Sequence, residues 1–98
     1  MAERKKLEPR EIDQRLGTVH GWTVAHGKLH KEFHFEDFVQ AFGFLSSVAL
    51  IAESMNHHPE WFNVYNRVTI DLSTHSAGGI SEMDFAFARK VDALERSP

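Results

Sequence analysis

The stretch Leu29-His30-Lys31-Glu32-Phe33-His34-Phe35-Glu36-Asp37-Phe38-Val39-Gln40-Ala41-Phe42-Gly43-Phe44-Leu45 decides how this chain folds. Up to Phe35 the pattern alternates. Leu29, Phe33 and Phe35 share one face with the stem of Lys31, and His30, Glu32 and His34 share the other. A period of two reads as a strand with one wet face. From Glu36 the period changes. Phe38, Phe42, Leu45, Ala49 and Ala52 recur at helical spacing, and Phe44, Val48, Ile51 and Met55 form a second stripe. The main helix is therefore expected over Glu36 to Met55. At ~100° per residue the stripes stand about 110° apart, wider than one core-facing side requires. The second stripe is expected to meet another subunit, so charged residues in place of Phe44 and Val48 should disrupt assembly.

Working outward, Gly21 precedes Trp22-Thr23-Val24-Ala25, a strand, and His26-Gly27 suits a tight turn. Residues 22–35 thus read as a hairpin. Upstream, Pro9 suits a first helical turn, Ile12 and Leu16 are four apart, and Gly17 suits the stop. Downstream, Pro59 ends the main helix and pushes His58 toward extended geometry. Trp61 to Tyr65 is strand-like and Asn66 marks a corner. Val68, Ile70 and Leu72 then alternate with Arg67, Thr69 and Asp71. After a turn at Gly78-Gly79, Ser81 opens a final helix. Asp84 follows at capping-box spacing, and Ile80 and Phe85 occupy hydrophobic-staple positions. Met83, Phe87, Val91 and Leu94 give its buried stripe. The order α-β-β-α-β-β-α predicts one α+β domain over residues 1–98, a four-stranded antiparallel sheet with helices packed on one face.

The 98 residues suit a single domain. Eleven Lys and Arg against 14 Asp and Glu give a net charge of −3, with no basic stripe, which argues against direct nucleic-acid binding. Cysteine is absent, so disulfides, thiolate metal sites and thiol catalysis are excluded. The longest uncharged stretch, Phe38 to Ala52, falls short of the ~20 apolar residues a membrane span needs. The basic start lacks the apolar run of a signal peptide, so a cytoplasmic protein is expected.

Chemistry concentrates in Glu53-Ser54-Met55-Asn56-His57-His58-Pro59, where a helix meets a loop. Glu53 and His57 are four apart and share a face while the helix lasts, so the carboxylate can orient the ring. His58 must point elsewhere. His75 lies just past the last strand, where it can join a cleft. By residue type alone the His pair reads as a solvated loop pair, as zinc ligands or as acid/base groups. Asp84 reads as a helix cap, and Trp22 and Trp61 as core or sheet residues. His20, His26, His30 and His34 look exposed and receive no role.

The spacing settles more than the residue types do. Glu53, three residues, His57-His58-Pro59, five residues, Tyr65, nine residues, His75, eight residues and Asp84 resemble the signature of the pterin-4a-carbinolamine dehydratases. Gly21-Trp22, Asn63-Val64-Tyr65-Asn66, Ala77-Gly78-Gly79 and Asp84-Phe85-Ala86 resemble the family too. The resemblance covers nearly the whole chain. It implies a hydro-lyase that converts 4a-hydroxytetrahydropterin to quinonoid dihydropterin and so recycles the pterin of aromatic amino-acid hydroxylases. It implies no metal and no organic cofactor. The family's three active-site histidines match His57, His58 and His75. His57 is then expected at the C4a hydroxyl with Glu53 orienting it, while His58 and His75 hold the pterin and handle the second proton. Trp22, Trp61, Pro59 and Asp84 are expected to border the substrate. The resemblance also implies a dimer or tetramer built through helix 36–55. The alternative it carries is a non-catalytic interaction protein, a dimerisation cofactor of a transcription factor acting through that helix.

Overall fold

Asp37, not Glu36, starts the long helix. Its carboxylate accepts the Gln40 backbone N–H at 2.9 Å, an N-cap that leaves Glu36 outside. The computed structural model describes residues 2–95. In chain order it contains α1 (Pro9–Leu16), β1 (Thr23–Ala25), β2 (Lys28–His34), α2 (Phe38–Met55), β3 (Glu60–Val64), β4 (Arg67–Leu72), a 3-10 turn (His75–Ala77) and α3 (Glu82–Glu95). The strands form one antiparallel sheet in the order β1-β2-β4-β3. Fold class and element order are those expected from the periodicities.

The β1–β2 hairpin turns at His26 and Gly27, both at positive φ (53° and 76°), as a two-residue hairpin demands. The register pairs Leu29 with Leu72, Lys31 with Ile70 and Phe33 with Val68. These residues are buried on the helix side, together with residues of α2 and α3. His30, Glu32 and His34 pair with Asp71, Thr69 and Arg67 on the open side. The alternation read at residues 29–35 is therefore the alternation found.

The long helix corrects one expectation. The side of α2 that meets the sheet carries Ala41, Phe44, Leu45, Val48 and Ala52, and the Phe44 ring lies 4.8 Å from that of Phe33. Phe38, Val39, Phe42 and Leu50 are the residues left outside. Phe44 and Val48 thus belong to the domain's own core: the Phe33 and Phe35 rings each contact Phe44, and Val48 is fully buried in the same cluster. The helix is long and apolar enough by composition to cross a membrane, yet one side of it fills this core.

One polar cluster is walled into the helix–sheet layer. Asp92 of α3 accepts the His20 backbone N–H at 2.9 Å, the Trp22 indole N–H at 2.8 Å and the Lys31 ammonium at 3.1 Å. That ammonium also reaches Glu95 and sits 4.8 Å from the Phe33 ring centre.

Candidate active site

Helix α2 ends at Asn56, which takes a left-handed conformation (φ 50°). The His57 backbone N–H then returns to the Ala52 carbonyl at 3.0 Å. This reversal, three residues before Pro59 could act, turns His57 inward and leaves His58 outside. His57 is 5% exposed. Its Nε2 lies 2.5 Å from Asp84 Oδ1, and its ring meets Phe87 edge-on.

Asp84 is fully buried and satisfied. Its Oδ2 accepts the Thr74 hydroxyl and the Ser81 backbone N–H, both at 2.9 Å. Since the Thr74 proton goes to Asp84, Ser81 donates its own to Thr74 across 2.5 Å. The Ser81 oxygen in turn accepts the Met83 N–H. Asp84 thus supplies one half of a capping box by accepting the Ser81 N–H, while the Ser81 hydroxyl oxygen caps Met83 rather than Asp84, and Ile80 and Phe85 are buried as a staple. The same carboxylate thus starts α3 and holds an imidazole.

The other ring nitrogen fixes the tautomer. Arg4 Nη1 lies 3.1 Å from His57 Nδ1. A guanidinium only donates, so Nδ1 is the acceptor and Nε2 carries the hydrogen given to Asp84.

Arg4, Asn56, His57, His58, Ser73, Thr74, His75 and Ser76 line one cleft of about 330 Å³. The three histidines come from two separate segments, one at the end of α2 and one past β4. His75 is exposed at the head of the 3-10 turn, and its ring has no hydrogen-bond partner among the described residues. A larger hollow between α1 and the β1–β2 hairpin is lined by Leu7, Ile12, Val24 and Ile80 but holds no histidine. Among the described residues no three His, Asp or Glu side chains are grouped to hold a metal ion.

Several sequence expectations change here. Glu53 reaches His58 Nε2 at 3.3 Å, not His57, because the left-handed Asn56 breaks the four-residue spacing. The carboxylate on His57 is Asp84. Trp22 does not line this cleft; it is buried against Phe33 and committed to Asp92. Trp61 lies on edge strand β3, 43% exposed, and Pro59 is half-buried; neither lines the cleft. Arg4 was missed. In sequence it is only the first of three consecutive basic residues, and nothing local marks it.

The fold and a histidine-lined cleft beside a buried carboxylate define a class of protein, and comparison with known proteins defines it independently. Residues 5–94 match the family described as Pterin 4 alpha carbinolamine dehydratase. A Solibacter usitatus protein named "Putative pterin-4-alpha-carbinolamine dehydratase" is 61% identical over 89 residues, covering 91% of this chain and 94% of its own. The crystal structure of a "transcriptional coactivator/pterin dehydratase" from Brucella melitensis superposes with a TM-score of 0.88 at 43% identity, covering 92% of this chain and 98% of the other. A pterin dehydratase-like protein identified as a RuBisCO assembly factor in the alpha-carboxysome is similar at 30% identity and TM-score 0.68, covering 81% and 94%. The chain belongs to the pterin 4 alpha carbinolamine dehydratase family.

Proposed function

We propose that this protein dehydrates 4a-hydroxytetrahydropterin to quinonoid dihydropterin in the cytoplasm, by histidine acid/base catalysis. In that reaction the C4a–O bond breaks and the hydroxyl leaves as water after gaining a proton. N5 loses its proton, and its electron pair closes the C4a–N5 double bond. Recycling of the pterin used by aromatic amino-acid hydroxylases would follow. The reading rests on one observation: His57, His58 and His75 share one cleft.

The tautomer of His57 favours the base role over the role at the C4a hydroxyl expected from sequence. Nδ1 carries the lone pair, so once the Arg4 N–H moves off it accepts the N5 proton while Asp84 holds Nε2–H. His58, with Glu53 beside it, and His75 deliver the proton to the departing hydroxyl. A positioned acid or base contributes ~10²–10⁴-fold. The test follows dehydration of synthetic carbinolamine. His57→Ala and His75→Ala should each lose about 10²–10⁴-fold in kcat. Full activity in His57→Ala would end the assignment.

A second reading concerns assembly. Val39 (78% exposed), Leu50 (74%) and Phe42 (56%) leave the outer side of α2 apolar. We propose that a second copy of the chain covers it, giving a dimer or tetramer. The transcriptional partner implied for some relatives would use the same side without the histidines. Phe42→Glu with Leu50→Glu should halve or quarter the mass in light scattering, with monomer stability changed by only about 0.5 kcal/mol per site. An unchanged mass would refute this face.

A further inference from the structure

We propose that Arg4 is a positioning residue: its guanidinium keeps His57 in the Nε2-protonated form, with Nδ1 reserved as a hydrogen-bond acceptor. Its role in turnover rests on the dehydratase reading; the tautomer does not.

The guanidinium is pinned. One terminal nitrogen, Nη2, donates to the Met55 and Asn56 carbonyls, each at 2.9 Å, at the end of α2. Those carbonyls are among the orphan acceptors of a helix end, where a cation is favoured. The other nitrogen, Nη1, then falls on His57 Nδ1 at 3.1 Å.

The backbone on both sides of Arg4 is tied as well. Glu3 O accepts the Met83 N–H at 3.1 Å, and the Leu7 N–H reaches Ile80 O at 2.8 Å. Lys6 pairs with Ser81 in an isolated bridge. The segment that leads to Asp84 therefore also holds the N-terminal stretch that delivers Arg4. One set of backbone contacts thus places both partners of one imidazole, a hydrogen acceptor on Nε2 and a hydrogen donor on Nδ1.

A proton on Nδ1 and the Arg4 N–H cannot occupy the same lone pair. While Arg4 is there, the ring is held as a base. Arg4 lines the open cleft itself, so for a substrate N–H to reach Nδ1 the planar guanidinium must swing aside and release its carbonyl bonds with it.

Histidine ¹⁵N NMR of the full chain reads the tautomer without substrate, and carbinolamine turnover reads the consequence. The wild type should show one neutral tautomer at His57, with Nε2 protonated and Nδ1 bare. In Arg4→Ala the Nδ1 signal should move toward a protonated nitrogen. There kcat should fall about 100-fold, the scale of a misplaced catalytic group, with KM changed far less. Added guanidinium ion should restore part of kcat and the Nδ1 signal. Arg4→Lys keeps the charge but not the planar fork, and should fall between the two. It also serves if Arg4→Ala folds poorly. An unchanged His57 signal in Arg4→Ala overturns the proposal, as does a loss of kcat that guanidinium leaves untouched. If the wild type does not turn over carbinolamine yet the Nδ1 signal responds to Arg4→Ala, the dehydratase reading falls and the lock on His57 stands.

Discussion

Helix α3 carries two buried aspartates, and they do different things. Asp92 accepts from a backbone N–H, an indole and an ammonium, and none of these partners is an imidazole. Asp84 accepts from a backbone N–H, a hydroxyl and an imidazole, and that imidazole borders open space. Both are fully satisfied, and no described buried side-chain polar atom lacks a partner. Burial and hydrogen bonding therefore do not separate a site from a structural cluster. What separates them is a partner whose proton exchanges near neutral pH, placed where a ligand can enter.

The sharpest way to break this contrast is to make the same change at both positions. In Asp84→Asn, Thr74 and Ser81 hold the amide oxygen, so its NH₂ faces His57 and imposes the wrong tautomer. Carbinolamine turnover should fall about 10²–10⁴-fold, while Asp92→Asn should stay within about twofold per folded molecule. Equal losses in the two variants would erase the distinction.

Stability should divide the other way. Asp92→Ala leaves the Trp22 indole and His20 backbone N–H groups without their acceptor and the Lys31 ammonium with Glu95 alone, so urea unfolding should register a loss of about 3–5 kcal/mol. Unfolding of that variant within 1 kcal/mol of wild type, on the order of a surface change, would show the cluster to be slack. Thr74→Val removes one donor from Asp84 and the acceptor for the Ser81 hydroxyl, and should cost about 1–3 kcal/mol together with some turnover.

The smallest effect belongs to a third carboxylate of α3. Burial alone would raise the Glu82 carboxyl, but hydrogen bonds from Arg15 and Arg89, together with their charges, hold it below its ordinary value of 4.5. A lowered value in the folded state adds stability above the unfolded value and loses it as pH falls through the folded one. The urea midpoint of the wild type should therefore drop more on acidification below about pH 4.5 than that of Glu82→Gln. Parallel curves would show that the network contributes nothing.

Much of the fold was legible because it rests on local repeats. Alternation at residues 29–35 and 67–72, the His26-Gly27 turn, and the Ser81–Asp84 cap each involve neighbours in sequence, and each is found. The helix that reads as starting at Glu36 begins two residues later because the capping carboxylate is that of Asp37. The candidate site was legible only in part. His57, His58 and His75 could be picked by spacing and do share a cleft. The partner of Glu53 could not, since one left-handed residue between them redirects the chain.

The sequence by itself determined which residues are apolar on which period, and hence the order of helices and strands and the family signature. Only the tertiary structure decided which side of α2 faces inward, that Trp22 serves Asp92, and that Arg4 reaches His57 across 53 positions. The physical reason is range. Periodicity is written by bonds between neighbours, whereas the partner of a charge or a ring is chosen wherever packing brings distant segments together.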